Sequence, residues 1–180
     1  EIRGYYNNMM EKVTKMPELL DNTELPKLNL ENGKFTYFPV AIFQYGLGCY
    51  DLFLLTKEKR YERKFLQCVE WTLEHQDDQG RWNNFSHYCP KTPYGAMAQG
   101  EATSLLVRAF VHTGKKEYMD AAKKAIDFML LPLGEGGTTK YEGEDSFLME
   151  YTFKNVVMNG FIFSWWGLYD YVEATHDEGK

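Results

Sequence analysis

One spacing restricts the fold of this chain more than any other. The segment Thr56-Lys57-Glu58-Lys59-Arg60-Tyr61 returns as Thr113-Gly114-Lys115-Lys116-Glu117-Tyr118, a shift of 57, and Thr175 stands 62 residues past Thr113. Each of these polar turns follows a long apolar stretch. Before the first, Val40, Ala41, Phe43, Leu47, Tyr50, Leu52 and Leu54 spread around a helix with few charges. Gln99 to Val111 precedes the second turn and Asn159 to Ala174 the third. After the first turn, Tyr61, Phe65, Cys68, Val69, Thr72 and Leu73 keep a helical period with charges between them, which predicts an amphipathic helix. Asp77-Asp78-Gln79-Gly80 ends it, with glycine as the stop. Tyr118 to Leu131 is the second one-sided helix, with Ala121, Ala122, Ala125, Ile126 and Met129 on one face.

Periods of this length with two helices each mean stacked αα-hairpins. Helices apolar all round need cover on every side, whereas one-sided helices face water. The natural arrangement is an inner and an outer layer, so the expected fold is all-α, an α/α toroid of stacked helical hairpins forming a single domain over residues 1–180. Residues 1–35, with Pro17, Pro26 and Gly33, read as an irregular N-terminal arm with a short helix. Residues 80–95 form a loop, and a short hairpin is expected around Thr138 to Tyr141. The sequence stops at Lys180, inside the third turn, so the toroid is incomplete at its C-terminus. A buried helix without its cover would expose an apolar strip. The expectation is that the natural protein continues; the alternative is a homo-oligomer in which another chain covers the strip.

Composition removes several function classes. The net charge is −6 and no Lys/Arg cluster interrupts it, which argues against a nucleic-acid partner. An acidic chain can still bind an anionic polymer if one pocket gathers its cations. Cys49, Cys68 and Cys89 are odd in number and widely spaced, so neither a disulfide framework nor a zinc site reads from them; reduced cytoplasmic thiols do. The four histidines form no metal-binding pattern, and neither a metal nor a cofactor is expected. No stretch reaches the roughly 18 apolar residues of a membrane span, and Glu1-Ile2-Arg3-Gly4-Tyr5-Tyr6 is not a signal peptide, so the expected location is cytoplasmic.

The starts of the three apolar helices carry unusual residues. The first has Gln44-Tyr45-Gly46, the second Tyr94-Gly95-Ala96-Met97-Ala98-Gln99-Gly100-Glu101, and the third is preceded by Glu150, Tyr151 and Lys154 and opens with Asn159-Gly160. A helix that only packs would hold larger aliphatic residues there. Small residues admit something other than a side chain, and both glycine-containing runs read as one cavity wall. Gln44, Gln99 and Asn159 head equivalent helices. Their amides either cap and tie the repeats together or hold sugar hydroxyls.

Four motifs now carry a resemblance. Gln44-Tyr-Gly-Leu-Gly-Cys-Tyr-Asp-Leu, Tyr94-Gly-Ala-Met-Ala-Gln-Gly, Glu150-Tyr151-Thr and Asn159-Gly-Phe-Ile-Phe-Ser with Gly167-Leu-Tyr-Asp resemble, in order, the C-terminal domain of the D-glucuronyl C5-epimerase family, over about Arg3 to Glu173. The resemblance implies inversion at C5 of glucuronic acid within an acidic polysaccharide such as heparosan, giving iduronic acid. It implies catalytic roles for Tyr94, Tyr151 and Tyr169. Lys154 would offset the substrate carboxylate, and Gln44, Tyr45, Gln99, Glu101, Glu150 and Asn159 would bind substrate or orient the phenols. Three positions depart from the family pattern: Thr152 stands in place of a proline, Lys154 in place of an arginine, and Pro93 in place of an aromatic residue. Two other readings use the same surface. One is a uronate polysaccharide lyase or a hydrolase, the latter pairing Glu101 with Glu150. The other is a glycan-binding domain without turnover.

Overall fold

The computed structural model describes residues 2–176. The chain is mostly helical and divides into two compact units, Arg3–Glu74 and a second made of His75–Lys180 together with Glu1–Ile2. No helix among the described residues is long and apolar enough to cross a membrane.

The first unit holds α1 (Met10–Thr14), a 3-10 turn (Pro17–Asp21), an antiparallel hairpin of β1 (Lys27–Asn29) and β2 (Phe35–Tyr37), and the helix pair α2 (Pro39–Thr56) and α3 (Lys59–Glu74). Pro39 opens α2, where its fixed φ suits the first helical position and its missing N–H costs nothing. Nearly all of α2 from Pro39 to Asp51 is buried, whereas α3 buries one face: Tyr61, Phe65, Cys68, Val69 and their neighbours. The arm expected to be irregular is tied to this pair. Gly48 lets the Met9 carbonyl touch α2, and the buried Lys64 ammonium donates to the carbonyls of Asn22 (2.7 Å) and Glu24 (3.0 Å). Burial lowers the Lys64 pKa, and those two carbonyls supply the partners a buried ammonium requires. Cys49 and Cys68 are buried free thiols; burial holds Cys68 up at about 12, so neither is a nucleophile.

The second unit holds α4 (Ala96–Thr113), α5 (Lys116–Leu130), a 3-10 turn (Leu133–Glu135), the hairpin β3 (Thr139–Glu142) and β4 (Asp145–Leu148), and α6 (Met158–Thr175). α4 is buried from Ala96 to Ala109, and α5 buries Tyr118 and the Ala121/Ala122/Ala125/Ile126/Met129 face. Ala96, Ile126, Met129 and Leu148 form a core cluster on which Phe161, Leu168 and Tyr171 of α6 pack.

The repeat read from the sequence is present as local structure. α2, α4 and α6 are each 18 residues long. Each ends at a left-handed residue (Lys57, Gly114 and His176) whose N–H returns to the carbonyl of Phe53, Phe110 and Val172. The three aligned threonines do the same work: Thr56, Thr113 and Thr175 donate to the carbonyls four residues back, at 2.9, 2.7 and 2.8 Å.

The glycines differ from the expectation of a cavity wall. Gly100 and Gly167 sit where α4 and α6 touch backbone to backbone. A methyl group on Gly100 would lie 2.5 Å from the Ser164 Cα, and one on Gly167 would run into the Gly100 backbone. The small residues therefore admit a second helix. α6 also differs from a helix buried all round: it buries Gly160, Ser164, Gly167 and Asp170, one face at helical spacing. Its other side exposes Met158, Ile162, Trp165 and Tyr169. Residues 177–180 of the third polar turn lie outside the described residues.

Candidate functional site

Three pieces of backbone meet where α4 begins. The loop before α4 folds on itself through Pro93, whose carbonyl accepts from Asn84 N–H (3.0 Å) and Phe85 N–H (2.8 Å). Ala96 N–H then donates to the Met149 carbonyl (2.8 Å), and Met149 N–H to the Thr138 carbonyl (2.9 Å). These bonds fasten the start of α4 to the strand end after β4. The contact is closed by Gly95, against whose Cα the Glu150 carbonyl rests, leaving no room for a side chain. Gly160, at the start of α6, admits the Glu150 carboxylate in the same way. Tyr94, Glu150 and Tyr151 are thus brought together at the N-terminal ends of α4 and α6.

Tyr151 is held by its ring. It stacks on Phe85 with centroids 4.7 Å apart and meets Phe153 edge-on at 6.0 Å. Lys154 places its ammonium 4.6 Å from the Tyr151 ring centroid, a cation–π contact that also sets a positive charge beside the phenol. Burial pushes the Tyr151 phenol above its ordinary value, and the charge and hydrogen bonding of Glu150 push it further. The resting side chain is therefore a neutral phenol, a proton donor. Burial likewise raises Glu150, against the opposing influence of the Tyr151 hydrogen bond and the Lys154 charge. Glu150 is 9% exposed and its Oε2 has no hydrogen-bond partner among the described residues.

A raised carboxyl pKa makes a stability prediction with a definite sign. The folded state holds the Glu150 proton more tightly than the unfolded chain, so stability falls as pH rises from the unfolded toward the folded pKa. Glu150→Gln removes that ionisation. It is expected to raise the melting temperature at neutral pH, with the difference shrinking below the ordinary glutamate range. Melting curves of both proteins across pH 3–8 check this.

Tyr94 lies beneath the Arg81 guanidinium, whose Cζ is 4.3 Å from the ring centroid, and meets Phe128 edge-on at 5.7 Å. A cleft of about 320 Å³ opens here, lined by Arg81, Lys91, Tyr94, Thr152 and Gly136–Gly137 among others. Arg81 and Lys91 are the residues that motif reading missed. The signal for Arg81 was the Asp77-Asp78-Gln79-Gly80-Arg81 turn, which looks like an ordinary helix stop; Lys91 lies in the loop after it and carried none.

The remaining candidates fall elsewhere. Gln99 is fully buried on α4, and neither amide atom has a hydrogen-bond partner among the described residues. An orphaned buried amide is costly, and such exceptions concentrate at functional positions. Glu101 is fully buried one residue beyond Gly100. Asn159 is exposed at the start of α6. Tyr169 is on the exposed face of α6, stacked nearly parallel on Trp165 at 5.4 Å. At 1.5 Å per residue it sits about 13 Å along the helix from Gly160. Gln44 and Tyr45 belong to the first unit. Tyr45 is fully buried and its hydroxyl donates to the Met16 carbonyl (3.1 Å), which anchors the arm. Among the described residues, no group of three His, Cys, Asp or Glu side chains could hold a metal.

The family described as D-glucuronyl C5-epimerase C-terminus matches residues 76–180. That span coincides with the second compact unit and contains Tyr94, Tyr151 and Tyr169; Gln44 and Tyr45 lie outside it. The D-glucuronyl C5-epimerase of Caenorhabditis elegans is 29% identical over 124 residues, which are 63% of this chain and 20% of that protein. The chain spans about one fifth of the length of that curated relative.

Proposed function

As this chain belongs to the family of the D-glucuronyl C5-epimerase C-terminus, we propose that it carries part or all of a site that inverts C5 of glucuronic acid residues in an acidic polysaccharide. The observation that carries the reading is the gathering of Tyr94, Glu150 and Tyr151 at two joined helix starts within the matched span, with Lys154 beside them. The proton on C5 is α to a carboxylate and only weakly acidic. Its removal places charge on the carboxylate oxygens, and a nearby ammonium such as Lys154 stabilises that charge. One group takes the C5 proton, the C–H electron pair moves into the carboxylate as an enediolate, and a second group returns a proton to the opposite face.

Tyr151, held as a neutral phenol, suits the returning acid. Glu150, whose carboxyl holds a proton more readily than an ordinary glutamate, supports that phenol and reprotonates the phenolate left once Tyr151 has given its proton to C5. Tyr94 and Tyr169 remain candidates for the opposite face, and Gln99, Glu101 and Asn159 for hydroxyl contacts. In the fold, we infer that α2–α3, α4–α5 and α6 are successive units of an α/α toroid, which the equal lengths and equivalent ends of α2, α4 and α6 support.

The test is wash-in of deuterium at C5 of a glucuronic-acid polymer, with the full-length protein in heavy water. Exchange together with iduronate formation is the expected result. Polymer binding without either sinks the epimerase reading and favours a glycan-binding domain. An unsaturated uronate product would instead indicate a lyase.

A further inference from the structure

The Arg81 cleft holds two cations that no side chain neutralises fully. Asp77 fixes one edge of Arg81: its carboxylate accepts from the Arg81 backbone N–H (2.9 Å) and from Nε (2.8 Å). The turn that places Asp77 depends on Gly80, which has a φ of +84° and lies against the Lys124 backbone, where any side chain would collide. The guanidinium carbon lies 4.3 Å from the Tyr94 centroid and 5.6 Å from that of Phe128. Its two terminal amino groups make no hydrogen bond among the described residues. Lys91, on the same cleft, is exposed, and its ammonium has no partner there either. With Asp77 offsetting one charge, the cleft keeps a net positive charge in a chain of net charge −6.

A guanidinium fixed on three sides, with a free planar fork, is arranged for bidentate recognition of a carboxylate or sulfate. Its orientation is set before any ligand arrives, so little entropy is lost on binding. Lys154 already stands beside Tyr151. The cleft is therefore a second cationic centre.

We propose that Arg81 and Lys91 form an anion-recognition subsite that binds a carboxylate or sulfate of the sugar chain and positions it past Tyr94. This rests on the epimerase reading for the identity of the polymer, and the recognition chemistry stands apart from the reaction. Arg81 and Lys91 are positioning residues that set affinity and register on the polymer.

The experiment uses the full-length protein and three probes: an unsulfated glucuronic-acid polymer, the same polymer with its carboxyls reduced to alcohols, and an N-sulfated form. Arg81→Gln is expected to weaken binding of the unsulfated polymer about 10–100-fold, as a charged bidentate contact would, and to raise KM far more than it lowers kcat. Arg81→Lys keeps the charge but loses the fork, and falls between. Lys91→Ala, on an exposed side chain free of contacts, leaves folding intact and weakens binding about two- to fivefold, less at high salt. On the carboxyl-reduced polymer neither variant should differ from the wild type. A penalty confined to the N-sulfated polymer assigns the subsite to sulfate and supports the proposal equally. Equal penalties on charged and uncharged polymers, or none from Lys91→Ala and Arg81→Gln alike, overturn it. Wild-type protein that binds but does not exchange C5 sinks the epimerase reading and leaves the subsite standing. Normal exchange with unaffected variants does the reverse.

Discussion

In the full-length protein, Tyr151→Phe is expected to lower iduronate formation by about 10²–10⁴-fold while leaving polymer affinity nearly unchanged. The substitution removes one oxygen and keeps the ring. The remaining benzyl ring would still stack on Phe85 and meet Phe153, and Lys154 would still cover its face, so the backbone between Met149 and Lys154 has no reason to move. What is lost is the proton donor. The loss should appear in kcat, because a proton transferred only in the transition state contributes nothing to substrate binding. The pH profile of the wild type carries the same signature. The Tyr151 pKa lies above its ordinary value, so a reaction needing the neutral phenol keeps its activity through neutral pH and loses it only on the alkaline side. Deuterium entering C5 without inversion in this variant would place the tyrosine on the reprotonation face. Undiminished iduronate formation would remove Tyr151 from the chemistry altogether.

The repeat is legible in the sequence because it is written twice over: in apolar periodicity and in the recurring Thr-plus-basic turn. Thr56, Thr113 and Thr175 mark the last turn of equivalent helices, and each returns its hydroxyl to the backbone four residues earlier. The glycines are legible as anomalies, but their purpose is not. Gly100 and Gly167 are 67 residues apart, and only the fold shows that each is small because of the other. Gly95 and Gly160 are small because Glu150 lies against both. A candidate site read as an open wall is, at these positions, a close-packed joint that holds the functional side chains at its rim. Arg81 is hidden for a different reason. Its role depends on Tyr94 beneath it and Asp77 beside it, a contact set that no spacing rule encodes. Tyr45 shows the reverse error of motif reading: it is an aromatic beside a candidate amide, yet its hydroxyl is committed to the Met16 carbonyl.

Asp170→Ala is expected to destabilise the second unit by about 3–5 kcal/mol, enough to unfold a marginal domain. Asp170 follows Tyr169 in the Gly-Leu-Tyr-Asp motif, and position alone would suggest a catalytic carboxylate. In the structure it is fully buried and accepts from Arg108 Nη1 at 2.5 Å, across the α4–α6 joint. Arg108 also donates to the Ser104 carbonyl at 3.0 Å and is itself 1% exposed. Removing the carboxylate takes a counter-charge from a guanidinium that is 1% exposed, which is why deleting one half of such a pair costs more than replacing both halves. The double variant Arg108→Met/Asp170→Leu separates the two roles. If Asp170 serves only the joint, the double variant recovers stability to near the wild type, and C5 exchange returns with it. If Asp170 also takes part in the reaction, stability recovers and exchange does not. Chemical denaturation and the heavy-water assay on the same three proteins read both quantities. The expected outcome is joint recovery, because Gly160, Ser164, Gly167 and Asp170 share the one buried face of α6 while Tyr169 points from another. The motif then couples two functions through adjacent residues: Asp170 fixes the rotation of α6 about its axis, and that rotation decides where Tyr169 is presented.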